Sequence, residues 1–354
     1  MNTIQRISVA MATYNGEKYI EEQLLSICRQ TRKPDEIVIS DDGSRDGTLE
    51  IVDRVAKSED AQGIEFVVIT DNPRHGWGGN FEWAILHTTG DLIFLCDQDD
   101  VWMPEKVEIV SKVFRQFPTA LCVIHNADLI GKTGEPIDGI FHQHIRYEDL
   151  QRVTEDIAFF TQNPYLEQCV SQPLANGMVT CISKELLKTA LPFPKSNGFH
   201  DHWLQFCALA EDACYCIPHC LTHYRLHGNN VCGHHAYTGT LLDKIKKVKK
   251  RLASKQNEYY TNYFHGKAMM EYLEKKGKTD LQAYGTAQSV CKIGTAKKQA
   301  VESGSIFGAV KLINLYFTNM RYRRSGTSAF LHELLMVVFQ NTQLRNQLPQ
   351  EEFL

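Results

Sequence analysis

The sequence predicts an α/β fold with a mostly parallel central sheet, followed by a helical C-terminal region. Three observations predict it. Short apolar runs alternate with stretches of helical spacing through about the first hundred residues, the pattern of βαβ units. Three of those runs end in polar loops, Thr13-Tyr14-Asn15, Asp41-Asp42-Gly43 and Asp97-Gln98-Asp99-Asp100. After His235 the composition turns basic and the spacing becomes helical.

The elements follow in order. Arg6 to Ala12 reads as the first strand and runs into the turn Thr13-Tyr14-Asn15-Gly16. Glu17 to Gln30 carries Tyr19, Ile20, Leu24, Leu25 and Ile27 at helical spacing, and Pro34 stops that helix. Glu36 to Ser40 is a second strand and Thr48 to Lys57 a second helix. Ile64 to Thr70 is a third strand, followed by the glycine-rich turn Asn72 to Asn80 and a helix over Phe81 to His87. Leu92 to Cys96 is a continuous apolar run, as expected of a buried parallel strand. Trp102 to Phe117 reads as a helix with Pro104 near its start, and Ala120 to His125 as a further strand.

With 354 residues, 43% of them hydrophobic and 23% charged, the chain is expected to form a globular protein of about two domains. A formal charge of −4 argues against a nucleic-acid partner. The 11 cysteines are scattered, with no secretory signal ahead of them and no apolar run of membrane-spanning length. This composition points to a cytoplasmic, reducing location.

The strongest chemical signal is Asp97-Gln98-Asp99-Asp100. Three carboxylates at the end of a buried strand repel one another unless a cation sits among them. A divalent ion of the Mg²⁺ or Mn²⁺ kind takes carboxylates and substrate phosphates as ligands. The competing reading is a solvated acidic turn in which Asp99 or Asp100 caps a helix. In an open α/β sheet ligands bind at the carboxyl ends of the strands, where all three polar loops fall. A nicotinamide fold is disfavoured, because no G-x-G-x-x-G follows the first strand, and the P-loop pattern is absent.

Thr13-Tyr14-Asn15, Ser40 to Thr48 and Asp97-Gln98-Asp99-Asp100 together resemble the inverting nucleotide-sugar glycosyltransferases of family 2, which have the GT-A fold. Gly76 to Phe81 and Tyr224-Arg225-Leu226-His227-Gly228-Asn229-Asn230 are most similar to bacterial rhamnosyltransferase-type members. The resemblance implies a UDP- or dTDP-linked sugar donor, a divalent metal (Mn or Mg) and a GT-A catalytic domain over 1–235. Its nucleotide-sugar half would be about 1–115 and its acceptor half about 116–235. Thr13, Tyr14, Asn15, Asp41, Asp42, Gly79, Asn80, Asp97 and Gln98 would line the donor site. Asp41 would accept from the base N–H, and Asp42 would support the turn or the ribose. Asp99, with Asp97 and His227, would hold the metal. Zinc on Cys214, Cys216, Cys220, His219, His223 and His227 is a weaker reading, since no C-x₂-C pair is present.

Inverting transfer needs one carboxylate to take the acceptor hydroxyl's proton. The resemblance puts Asp201 there, at the start of a helix, with His200 in place of the acidic residue of many members. Asn176, Gly177, His200 and Trp203 would form the acceptor side, with Trp203 equally suited to the core. Leu241 to Lys255 is a basic amphipathic stretch, expected either to touch an anionic membrane at its inner face or to pack as a solvated helix. Helices over 305–322 and 329–340 complete a C-terminal region, 236–354, suited to docking or homo-oligomer contacts. The expected activity is metal-dependent transfer of a sugar to a cell-surface glycan or lipid-linked acceptor. The alternatives are a nucleotidyltransferase and a non-catalytic sugar-nucleotide or glycan-binding module.

Overall fold

The computed structural model describes residues 5–140, 150–160, 162–194, 200–227, 230 and 258–303, in two compact units, residues 1–233 and 234–354. The first unit begins β1 (Ile7–Thr13), α1 (Ile20–Cys28), β2 (Glu36–Asp41), α2 (Thr48–Ala56), β3 (Glu65–Ile69), α3 (Trp77–Leu86) and β4 (Leu92–Cys96). It continues β5 (Val101–Trp102), α4 (Lys106–Gln116), β6 (Cys122–Ile130), β7 (Pro136–Ile140), β8 (Gln151–Arg152), β9 (Ala158–Phe159) and α5 (Gln162–Ser171). It closes with β10 (Thr180–Ser183), α6 (Lys184–Ala190), α7 (His200–Ala210) and β11 (Cys214–Arg225).

The strands form one sheet in the order β3-β2-β1-β4-β10-β6-β11-β9-β8. Strands β3, β2, β1 and β4 are parallel, and β10 enters antiparallel to both β4 and β6. Ile7, Val9, Met11, Ile37, Ile39, Phe94 and Cys96 are fully buried, as continuous apolar strands covered on both faces require. In register, Thr13 lies opposite Asp41 and Met11 opposite Cys96. The loops after β1, β2 and β4 therefore leave the sheet at the same edge, side by side.

Three expectations change. The glycine-rich stretch is a turn only as far as Gly76. Trp77 to Asn80 open α3, and the Asn80 N–H donates to the Gly76 carbonyl at 2.9 Å. A side chain at Gly79 would meet the Arg74 carbonyl at 2.7 Å, so this glycine permits a close backbone approach rather than a bend. Trp102 belongs to a short strand against β11 instead of the helix that follows it, and its ring is buried. The strand from Cys122 runs to Ile130, past the expected His125, because β11 and β7 pair with its far half.

In the second unit, α8 (Glu258–Lys275) and α9 (Gln282–Ser303) pack closely. A side chain at Gly266 would lie 2.8 Å from the Cys291 backbone nitrogen. The stretches expected as helices over 241–255, 305–322 and 329–340 lie outside the described residues. Among the described residues, no helix is long and apolar enough to cross a membrane.

Candidate active site

The loops after β1 and β2 are fastened to each other by their own polar groups. Asp41 is 1% exposed and accepts four hydrogen bonds. Its Oδ1 takes the Gly43 and Ser44 N–H groups at 3.0 and 2.7 Å; its Oδ2 takes the Thr13 and Ser44 hydroxyls at 2.7 and 2.6 Å. An ionised carboxylate offers about four acceptor positions. Asp41 is thus saturated by the protein, and the expected bond to a nucleobase N–H has no acceptor left. Its task is to build the turn. Asn15, at φ 48°, receives the Arg45 N–H on its side-chain oxygen and gives its own N–H to Ser44. Gln98 reaches back from the β4 loop, accepting from the Tyr14 N–H at 2.9 Å and donating to the Tyr14 carbonyl at 3.1 Å. Asp42 holds the Gly76 N–H and the His75 ring, both at 2.9 Å. Asn80, buried, donates to the Thr13 carbonyl.

Of the residues expected to line a donor site, Thr13, Asn15, Asp41, Asp42, Asn80 and Gln98 are therefore held in one hydrogen-bonded frame at this sheet edge, with Gly79 beside Asn80 in α3. The Tyr14 ring is exposed and Asp97 is half-buried.

The carboxylates after β4 are in a different condition. Burial, then the charges of Asp99 and Asp201, push the Asp97 carboxyl up to about 8. The Asp99 Oδ2 meets the His227 Nε2 at 2.7 Å. Asp100 is fully buried; its Oδ1 accepts the Arg225 N–H at 3.1 Å, and its Oδ2 has no partner among the described residues. Burial, then the charges of Asp99 and Asp97, raise it well above the usual carboxylate range. The structure thus brings Asp99 and His227 together, across 128 positions of chain, with Asp97 beside them. Among the described residues no group of three His, Cys, Asp or Glu side chains forms a ready-made metal cage, and this includes the cysteine-rich strand β11.

Three residues given no role in the sequence reading hold this corner. The Arg225 side chain is 1% exposed: its Nε donates to the Asp99 carbonyl at 2.9 Å, and its Nη2 pairs with Glu22 at 2.6 Å. Tyr19 stacks on His227 with ring centroids 4.9 Å apart, and the Arg225 guanidinium lies 5.0 Å from the same tyrosine ring. Lys106, fully buried, donates to the Met178 carbonyl at 2.8 Å and the Thr222 hydroxyl at 2.9 Å, over the Trp102 ring. Burial lowers its ammonium to about 7. The signal available for Arg225 was its position, two residues from His227 at the end of β11.

The third wall is α7. Asp201 sits in its first turn, with one carboxylate oxygen accepting the His202 N–H at 2.8 Å. A Cβ on Gly177 would stand 3.8 Å from the other oxygen and 3.5 Å from the His200 Nε2, so this buried glycine lies directly against both groups. The loop carrying Asn176 and Gly177 is held from behind by Gln205. Its amide accepts from the Leu174 and Ala175 N–H groups and donates to the Ala175 carbonyl and Thr180 hydroxyl. Trp203 is 5% exposed, stacks on Phe206 and donates its ring N–H to the Ala190 carbonyl at 2.8 Å. It belongs to the core and does not wall the acceptor site.

The arrangement offers a cluster of carboxylates able to take a cation, and a separate carboxylate beside the buried Gly177. The glycosyl transferase family 2 model matches residues 8–165, which span β1 through the start of α5. An uncharacterized glycosyltransferase of Nostoc sp. is 26% identical over 227 residues, covering 64% of this chain and 66% of the relative. The dTDP-rhamnosyl transferase RfbG of Shigella flexneri is 41% identical over 101 residues, 28% of this chain and 34% of RfbG. The chain therefore spans from about a third to about two thirds of the length of these two relatives. The crystal structure of S. aureus TarS 1-349 shares the fold at a TM-score of 0.50 with 15% identity, covering 91% of this chain and 92% of that one. Residues 8–165 are a family 2 glycosyltransferase domain on a GT-A fold.

Proposed function

We propose that the enzyme built on this family 2 domain is a metal-dependent inverting glycosyltransferase. It would move a sugar from a UDP- or dTDP-linked donor to a hydroxyl of a cell-surface glycan or lipid-linked acceptor. The observation that carries this reading is the contrast of occupied and available carboxylates at one sheet edge. Asp41 and Asp42 are taken by the protein, whereas Asp97, Asp99 and Asp201 face one another's charge.

Asp201 acts as general base. The acceptor hydroxyl attacks the anomeric carbon from the side opposite the diphosphate, and its proton passes to the available Asp201 oxygen. The new C–O bond forms as the bond to the diphosphate oxygen breaks, and that electron pair leaves with the nucleoside diphosphate. The donor set of Asp99 carboxylate and His227 imidazole, with Asp97 adjacent, suits a Mn²⁺- or Mg²⁺-type ion, and the burial and neighbouring charges that push the Asp97 carboxyl up to about 8 supply the reason for one. A divalent ion there would offset the charge developing on the leaving diphosphate. Tyr19 and Arg225 position His227 and the Asp99 backbone. Asn176 and Gly177 flank the acceptor, a role supported by the nearness of Gly177 to the Asp201 carboxylate.

The RfbG likeness favours dTDP-rhamnose as the first donor to test. A thermal-shift panel of UDP, dTDP and their sugar conjugates, with and without Mn²⁺, tests the donor site, since a ligand at a hundred times its Kd stabilises by about 2.7 kcal/mol. A metal-dependent shift lost in Asp99→Ala is expected; a flat panel at millimolar ligand contradicts the reading. Attachment to an anionic membrane through 241–255 is proposed on sequence alone, and liposome sedimentation checks it. Self-association through the C-terminal helices is likewise a proposal, read out by light scattering.

A further inference from the structure

We infer that His200 is a specificity-determining residue that hydrogen-bonds one hydroxyl of the sugar being transferred. The inference rests on the donor-site reading above and moves His200 from the acceptor side, where the sequence placed it, to the donor sugar. The ring is 3% exposed and lies flat on Phe81, with centroids 4.4 Å apart and planes at 15°. The Trp77 ring meets it edge-on at 6.3 Å. Both ring nitrogens are buried and neither has a hydrogen-bond partner among the described residues. Buried polar atoms are almost always satisfied, and leaving one unpaired costs folding stability. The neighbouring His202 follows that rule, with its Nε2 on the Cys169 carbonyl. A phenylalanine at 200 would stack on Phe81 as well, without the unpaired nitrogens. The imidazole therefore calls for a partner that no described residue supplies.

Its surroundings say what that is. The Nε2 and the Asp201 Oδ2 both lie within 3.8 Å of the point where Gly177 lacks a side chain. The other flank of the ring is α3, whose first turns are tied to the donor loops through Asp42–Gly76 and Asn80–Thr13. His200 thus stands between the nucleotide wall and the base, where the transferred sugar must lie for its anomeric carbon to face Asp201's substrate. Burial holds the imidazole below its ordinary value, so it is neutral. One nitrogen then donates and the other accepts, which matches a hydroxyl in either sense. A carboxylate in this place could only accept.

The test compares full-length wild type, His200→Phe and His200→Gln in Mn²⁺. His200→Phe keeps the ring stack and removes the nitrogens; His200→Gln restores a donor and an acceptor. Each is titrated with UDP and dTDP, then with UDP-glucose, UDP-N-acetylglucosamine and dTDP-rhamnose. We expect His200→Phe to bind the bare diphosphate as wild type does and to lose about 3- to 10-fold in affinity for the sugar conjugate, the fold-change of one hydrogen bond. His200→Gln should recover most of that loss. Equal losses for diphosphate and conjugate would mark a structural residue and overturn the inference. So would unchanged affinity for both, or a defect confined to acceptor KM. Wild-type protein that binds no sugar conjugate at all would overturn the donor-site reading itself.

Discussion

The loops after β2 and after β4 both end in aspartates, and the two sets have opposite fates. Asp41 and Asp42 accept six hydrogen bonds from Thr13, Gly43, Ser44, His75 and Gly76, two of them from Ser44. Asp97 sits among Asp99, Asp100 and Asp201, and its carboxyl is pushed up to about 8 by burial and then by the charges of Asp99 and Asp201. One set is hydrogen-bonded into the scaffold; the other crowds carboxylates together in a buried place. The difference teaches that an Asp-rich strand end identifies a site, while the neighbours decide which carboxylates do chemistry there.

The largest effects should come from the available set. Asp201→Asn removes the proton acceptor and is expected to lower turnover by about 100- to 10,000-fold, the range for general-base loss. Donor-induced thermal shift should persist, because Asp201 takes no part in holding the nucleotide. If turnover survives, the base lies elsewhere. Asp99→Asn should weaken Mn²⁺ binding by more than about 100-fold, since even outer-shell changes at metal sites cost 10- to 100-fold. Its melting temperature should hold or rise, as a repelling charge beside Asp97 and Asp100 is gone. A marked fall in stability would break the comparison, placing Asp99 with the scaffold.

The occupied set should behave in reverse. Asp41→Ala leaves the buried Thr13 hydroxyl and two N–H groups without their acceptor, at a cost of about 1–3 kcal/mol for each group left unsatisfied and buried. A loss of about 3 kcal/mol in denaturant unfolding is expected after solvent reaches part of the turn. A variant that unfolds like wild type but fails to bind UDP or dTDP would return Asp41 to the ligand-binding role expected from sequence.

The same contrast explains what was legible in the sequence. The strands and helices of the first half followed from apolar runs and helical spacing, and the three polar loops followed from where those runs stopped. Asp99 and His227 were paired only through the family resemblance; the structure brings them together. Whether an aspartate was occupied could be read only in part: three donors on Asp41 are local, from Gly43 and Ser44, but the fourth comes from Thr13 at the end of another strand, and the cation near Asp100 from Lys106. Trp203 turned inward for a similar reason: its partner is the Ala190 carbonyl, which no local pattern reveals. The start of α3 was missed because Gly78 and Gly79 read as a turn, whereas Gly79 serves a close contact with the Arg74 carbonyl.

Glu82 gives the smallest and sharpest probe, a carboxylate between the two conditions. It sits on α3, 7% exposed, with Arg74 as its ion-pair partner at 2.9 Å. Burial outweighs that pairing and pushes the carboxyl up to about 7 from 4.5. A group whose folded value is raised favours the fold in its protonated form. Its contribution is complete below about 4.5 and is lost as pH rises through about 7. Wild-type stability should therefore carry a downward component across that window, and Glu82→Gln, which cannot ionise, should flatten the curve there by measurement of unfolding free energy at successive pH values. Parallel curves for the two proteins would mean that the Arg74 pair compensates burial, making Glu82 another occupied carboxylate. Because Glu82 stands two turns along the helix that carries Phe81 and the Asp42-bound first turn, a flattened curve would also show that this helix holds a charge poorly, consistent with the neutral imidazole of His200 packed against it.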